Sequence, residues 1–140
     1  MKAPKKAHRS VASLAAIAAA AAAVVLVPGT ALASSGGGCR TTDSSNSDLE
    51  ACISASGAYL EPDGYIISET GSCSTSYLIL DDLTAGTTVA KYNIGCGTGH
   101  YGPFANKGVN GHEYSVELVS VNSSGSPLNS AWSYDETFSD

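Results

Sequence analysis

Glu113-Tyr114-Ser115-Val116-Glu117-Leu118-Val119-Ser120-Val121 decides the fold class of this 140-residue chain. Tyr114, Val116 and Leu118 fall on one side of an extended backbone, as a half-buried strand requires. Asn122-Ser123-Ser124-Gly125 follows as a turn, built from residues that accept tight backbone reversals. The same reading extends outward in both directions. Toward the C-terminus, Ala131 to Phe138 alternates Trp132 and Tyr134 with polar residues and closes the domain. Toward the N-terminus, Thr87 to Ile94 is β-branched at Thr87, Thr88, Val89 and Ile94, Tyr77-Leu78-Ile79-Leu80 is a compact apolar strand, and Ala51 to Leu60 is another. Glu61-Pro62-Asp63-Gly64 has turn composition, because proline presets φ and glycine accepts positive φ, so Tyr65-Ile66-Ile67 reads as the return of a hairpin. No amphipathic helix pattern appears beyond residue 33. About seven short strands at even spacing predict an all-β fold, a small antiparallel β-sandwich over residues 51–140.

The segment Gly111 to Gly125 resembles the penultimate strand and following turn of fibronectin type III domains, in which a tyrosine begins a strand of alternating apolar residues and an Asn…Gly turn follows. The resemblance implies an immunoglobulin or fibronectin III-like sandwich. It also implies that Tyr114 is a tyrosine corner, its hydroxyl bonded to upstream backbone. It is confined to that one segment and implies architecture, not activity.

Residues 1–33 read as a secretory signal peptide. Lys2, Lys5, Lys6 and Arg9 form a basic head, Val11 to Val27 is an apolar run interrupted only by Ser13, and Ala31-Leu32-Ala33 supplies the small-x-small pattern after Pro28-Gly29. Cleavage is expected between Ala33 and Ser34. A retained anchor is the rival, but the Ala-rich run is short and weakly hydrophobic for a span. Residues 34–50 read as a Ser/Gly-rich N-terminal arm, with too little apolar surface to offset its ordering entropy. Cys39 would tether it to the domain.

Four of the seven basic residues lie in the signal, leaving Arg40, Lys91 and Lys107 against thirteen acidic residues, a net charge of −10. Such a chain repels phosphates and anionic lipid surfaces, so neither nucleic acid nor a membrane is expected as a partner after signal cleavage. Cys39, Cys52, Cys73 and Cys96 form an even set, and an exported chain meets an oxidising compartment, so two disulfides are expected. Of three pairings, Cys39–Cys52 and Cys73–Cys96 close the shortest loops. The alternative, a metal site, lacks C-x-x-C spacing.

The residue patterns that carry chemistry are sparse. His100 lies in the glycine-dense run Gly95-Cys96-Gly97-Thr98-Gly99-His100-Tyr101-Gly102-Pro103, which lacks the lysine and spacing of a phosphate-binding loop. His112 precedes Glu113, which would point to the opposite face of a strand. There is no G-x-S-x-G elbow and no calcium-loop pattern. Glu61 with Asp63, Asp81 with Asp82, and Asp135 with Glu136 read as solvent-exposed turn or terminal carboxylates. No catalytic, cofactor or metal residue is therefore assigned. The candidate partner-binding residues are Ser34, Ser35, Gly36, Gly37 and Gly38 in the arm, with Tyr101 and Phe104 as an exposed aromatic tip.

The Ala-rich signal, the arm from Ser34, the Cys39 and Cys52 spacing, and Gly71-Ser72-Cys73 with Gly95-Cys96-Gly97 are similar to small exported actinomycete proteins, and within them to the adaptor subunit of umbrella toxin particles. That resemblance implies a secreted, non-enzymatic adaptor that joins a toxin subunit to a lectin-like subunit in a hetero-oligomer, docking other secreted proteins by its arm. Two alternatives come from other classes. One is an inhibitor of extracellular hydrolases using the loop Gly97 to Phe104; the other is a carbohydrate-binding module using Tyr101, Trp132 or Tyr134.

Overall fold

The computed structural model describes residues 33–45 and 47–140; the expected export signal, Ala33 apart, lies outside them. Eleven strands follow in chain order: β1 (Ser35–Gly36), β2 (Gly38–Asp43), β3 (Ser47–Ser56), β4 (Tyr59–Glu69), β5 (Thr75–Asp82), β6 (Thr87–Asn93), β7 (Gly99–Tyr101), β8 (Asn106–Lys107), β9 (Glu113–Val121), β10 (Pro127–Trp132) and β11 (Glu136–Thr137). The described residues contain no helix. The first sheet runs β1-β11-β9-β5-β6, with β10 also paired to β9, and the second runs β2-β3-β4-β7, with β8 also paired to β4. All pairings are antiparallel. The fold is the expected all-β sandwich.

The pleat explains the core. Leu49, Ala51 and Ile53 of β3 share a face with Leu60 and Ile66 of β4, and this face meets Leu78 and Leu80 of β5, Tyr114, Val116 and Leu118 of β9, Ala131 and Phe138. Each such aliphatic side chain stabilises by about 1.5–3 kcal/mol relative to exposure. Both expected disulfides are present. Cys39–Cys52 links directly opposed residues of β2 and β3, and Cys73–Cys96 ties the β4–β5 connection to the β6–β7 connection. The expected tyrosine corner is also present: the Val109 N–H donates to the Tyr114 hydroxyl at 2.9 Å.

Three local readings change in the tertiary structure. First, Glu61-Pro62-Asp63-Gly64 is not a turn but the middle of β4. The Pro62 carbonyl accepts the Phe104 N–H at 3.0 Å, so its donor-less nitrogen faces the gap between β7 and β8, where no ladder bond is lost. Gly64 is a close-approach residue: a Cβ there would lie 2.9 Å from Leu78 Cδ1 and 3.1 Å from Leu118 Cδ2 of the facing sheet. The hairpin reversal is instead the two-residue loop Gly57-Ala58, where Gly57 has φ 54°, as tight hairpin turns favour.

Second, the alternation of the C-terminal segment has the opposite phase. Ala131 and Ser133 are buried, whereas Trp132 and Tyr134 are 42% and 56% exposed. Ala131 pairs with Leu118 on the inner face, and Trp132 with Glu117 on the outer. A one-residue slip exchanges every side chain between faces, and pairing with β9 sets the phase.

Third, residues 34–45 and 47–50 are woven into both sheets. β1 pairs with β11, β2 pairs with β3 along its whole length, and β3 itself begins at Ser47. The Asn129 amide donates to the carbonyls of Ser47 at 2.8 Å and Thr42 at 3.2 Å. Backbone pairing and the Cys39–Cys52 link supply the order that composition alone does not.

Candidate functional site

A cavity of about 670 Å³ opens beside the N-terminal segment. Ser34, Gly36, Gly37 and Gly38 form one wall, residues from Ile53 to Gly57 at the β3–β4 hairpin form another, and Glu136 and Asp140 complete it. The wall is held firmly. Ser35 and Gly36 pair with Thr137 and Glu136, the Gly37 N–H donates to the Asp135 carbonyl at 2.7 Å, and the Ser34 hydroxyl donates to the Ser139 carbonyl at 3.0 Å while accepting the Ser139 N–H at 2.8 Å. Gly36, Gly37 and Gly38 have φ of 96°, 71° and 112°, which side chains strongly disfavour. A Cβ at Gly37 would overlap the Glu136 carboxylate and stand 2.8 Å from the Ile53 carbonyl. The triple glycine is therefore what lets backbone lie directly against that carboxyl.

Glu136 is the chemically distinctive group. It is only 4% exposed, and burial pushes its pKa above the ordinary glutamate value. Among the described residues, no lysine, arginine or histidine lines the cavity. The nearby cation, Arg40, lies over the Tyr134 ring at 5.2 Å. The cavity thus presents small side chains, exposed backbone and one desolvated carboxyl.

Two histidine–carboxylate pairs lie elsewhere. His100 Nε2 is 2.8 Å from Asp63 Oδ2, and its ring stacks on Tyr65 at 4.3 Å. His112 Nδ1 is 2.7 Å from Asp82 Oδ2. Burial raises the Asp82 pKa, but the hydrogen bonds from His112 and the Ala85 N–H and the adjacent imidazole outweigh it, and the net shift is downward. Among the described residues neither imidazole is bonded to a serine, threonine or cysteine side chain. Cys39, Cys52 and Glu50 also converge, but their sulfurs are bonded to each other, so that cluster offers one carboxylate.

Comparison with family models, curated proteins and solved structures finds no match.

The structure brings four of the sequence-derived binding residues, Ser34, Gly36, Gly37 and Gly38, to one cavity; Ser35 is the exposed strand residue between them. Tyr101 and Phe104 do not join them. Tyr101 sits in β7 at the other edge of the second sheet, half-buried, its hydroxyl donating to the Gly97 carbonyl at 2.6 Å. Phe104 stacks on Tyr92 at 4.2 Å, and both Phe104 and Tyr101 pack against the core. The exposed aromatic side chains are Tyr59, Trp132 and Tyr134. Glu136 was missed because it follows Asp135 near a terminus and reads as solvated. The overlooked signal is its two-residue spacing from Phe138, which places both on one face of an extended segment.

Proposed function

We propose that this protein is an exported, non-enzymatic protein-binding module that docks a partner through the cavity walled by Ser34 and Gly36 to Gly38. The observation that carries the reading is the rigid triple-glycine wall against the buried Glu136 carboxyl. Such a site is shaped to receive a side chain from outside, within the usual 300–1,000 Å³ of ligand pockets. Two disulfides are consistent with an extracellular setting, and the signal-like residues 1–33 support export. The likeness to umbrella toxin adaptors favours a hetero-oligomer with a secreted toxin subunit and a lectin-like subunit.

Pull-down from culture supernatant followed by mass spectrometry tests this. A toxin subunit and a lectin-like subunit are expected with the wild type, and both should be lost on Ala55→Trp, which fills the cavity. Retention of every partner by that variant overturns docking at this site. A carbohydrate-binding reading draws on the exposed Trp132 and Tyr134 rings; polysaccharide binding lost in Trp132→Ala would favour it instead.

A further inference from the structure

We infer that the cavity receives a cation, the side chain of a lysine or arginine on the partner, and that Glu136 is its counter-charge. This rests on the docking reading above and adds the chemistry of the guest. A carboxyl buried to this degree is either protonated or paired, because an isolated buried charge is costly. Among the described residues, the cavity lining holds a second carboxylate, Asp140, and no basic side chain. Among the described residues no hydrogen bond or ion pair of the Glu136 carboxylate competes with a guest. The rest of the wall is suited to a long stem with a charged head: Ile53 and Ala55 line the path, and the glycines leave backbone open beside the carboxyl.

The chain itself is a poor source of that cation. Beyond residue 33 it has only Arg40, Lys91 and Lys107. Arg40 lies over Tyr134, and Lys91 Nζ over Tyr77 at 4.0 Å. A second copy carrying a net charge of −10 beyond that residue would be repelled. A terminal ammonium at Ser34 would start two residues before Gly36, the strand partner of Glu136, about 6–7 Å along the backbone, and Ser34 is already pinned to Ser139. A basic foreign surface remains.

The test uses the full exported, oxidised protein and Nα-acetyl-lysine N-methylamide as probe, with the norleucine analogue as uncharged control. The Glu136 carboxyl carbon and the Gly36 to Gly38 amides are followed by NMR. A saturable shift with the lysine probe, a lowered Glu136 pKa in its presence, and about ten-fold weaker binding (1.4 kcal/mol) in Glu136→Gln are expected. Equal shifts with norleucine, no saturable shift, or unchanged binding in Glu136→Gln overturn the inference, given a dispersed spectrum that shows the variant folded. A Glu136 carboxyl that titrates below the ordinary range without probe also overturns it, since the chain's own terminal ammonium would then fill the site. The two readings fail separately: partners lost in Ala55→Trp but held unchanged by Glu136→Gln leave docking standing and remove the cation, whereas partners held by both variants remove docking.

Discussion

The Asp82 carboxylate and the His112 imidazole, 2.7 Å apart, join the end of β5 to the connection that precedes β9. They do so beside Tyr114, whose hydroxyl accepts the Val109 N–H and which faces Asp82 in the β5–β9 pairing. Asp82 Oδ1 also accepts the Ala85 N–H at 2.8 Å. One buried carboxylate thus ties together a turn, a loop and the tyrosine corner.

That network sets a response to acid. The Asp82 pKa is lower in the folded chain than in the unfolded one. Its contribution is therefore present above about pH 4, the unfolded value, and is lost as pH falls through the folded value. Urea midpoints measured from neutral pH downward should drop steeply in the wild type. In Asp82→Asn the acid-side slope should flatten, and the variant should be about 1–3 kcal/mol less stable at neutral pH.

Tyr114→Phe keeps the ring in the core and removes the hydroxyl. The Val109 N–H loses its acceptor. A cost of about 1–3 kcal/mol in denaturant unfolding is expected. The Val109 amide should exchange with solvent faster than in the wild type. An unchanged exchange rate would mean that the tyrosine corner does not close the 109–113 loop.

Glu136 should behave in the opposite sense to Asp82. Burial raises its pKa in the folded chain, so the folded state binds the proton more tightly. Stability then falls as pH rises from the unfolded value, about 4, through the folded one. Glu136→Gln should therefore melt above the wild type at neutral pH and converge with it in acid. Thermal melts at both ends of that range check the sign.

The two glycines named in the β4–β5 region give a matched pair. Gly64→Ala would press a methyl against Leu78 and Leu118 across the sandwich, whereas a Cβ at Gly71 meets nothing within 4 Å. Gly64→Ala should cost about 1–3 kcal/mol. Gly71→Ala should be neutral or slightly stabilising by restricting the unfolded chain. Equal stabilities for the two would contradict the close approach of the sheets at Gly64.

The disulfides span 13 and 23 residues in sequence. Replacing either pair by serines should cost about 3 kcal/mol, with Cys73/Cys96 slightly the larger on a loop-entropy basis. Denaturant midpoints of the two double variants decide the order.

Much of the strand inventory was legible because it depends on short-range pattern. The alternation at Tyr114, Val116 and Leu118 and the apolar run at Tyr77 to Leu80 each lie within one element, and the two disulfides close loops of only 13 and 23 residues. The positions misread share another property. Pro62 and Gly64 look like a turn until Phe104, Leu78 and Leu118, distant in sequence, supply the gap and the facing wall. Trp132, Tyr134 and Glu136 are spaced by two residues, yet the first two point outward and Glu136 inward, because the alternation shifts between β10 and β11.

The chain alone therefore determined the spacing of inward residues and the class of fold, since both follow from covalent neighbours and the two-residue pleat, whereas it favoured the cysteine pairing by loop length and the structure fixed it. The tertiary structure decided which face met the core, why three consecutive glycines stand at 36–38, and that Glu136 is buried beside an open cavity. The first depends on the pairing of β10 with β9 and the others on that of β1 with β11, segments about a hundred residues apart, and pairing leaves no periodic trace that fixes its own register.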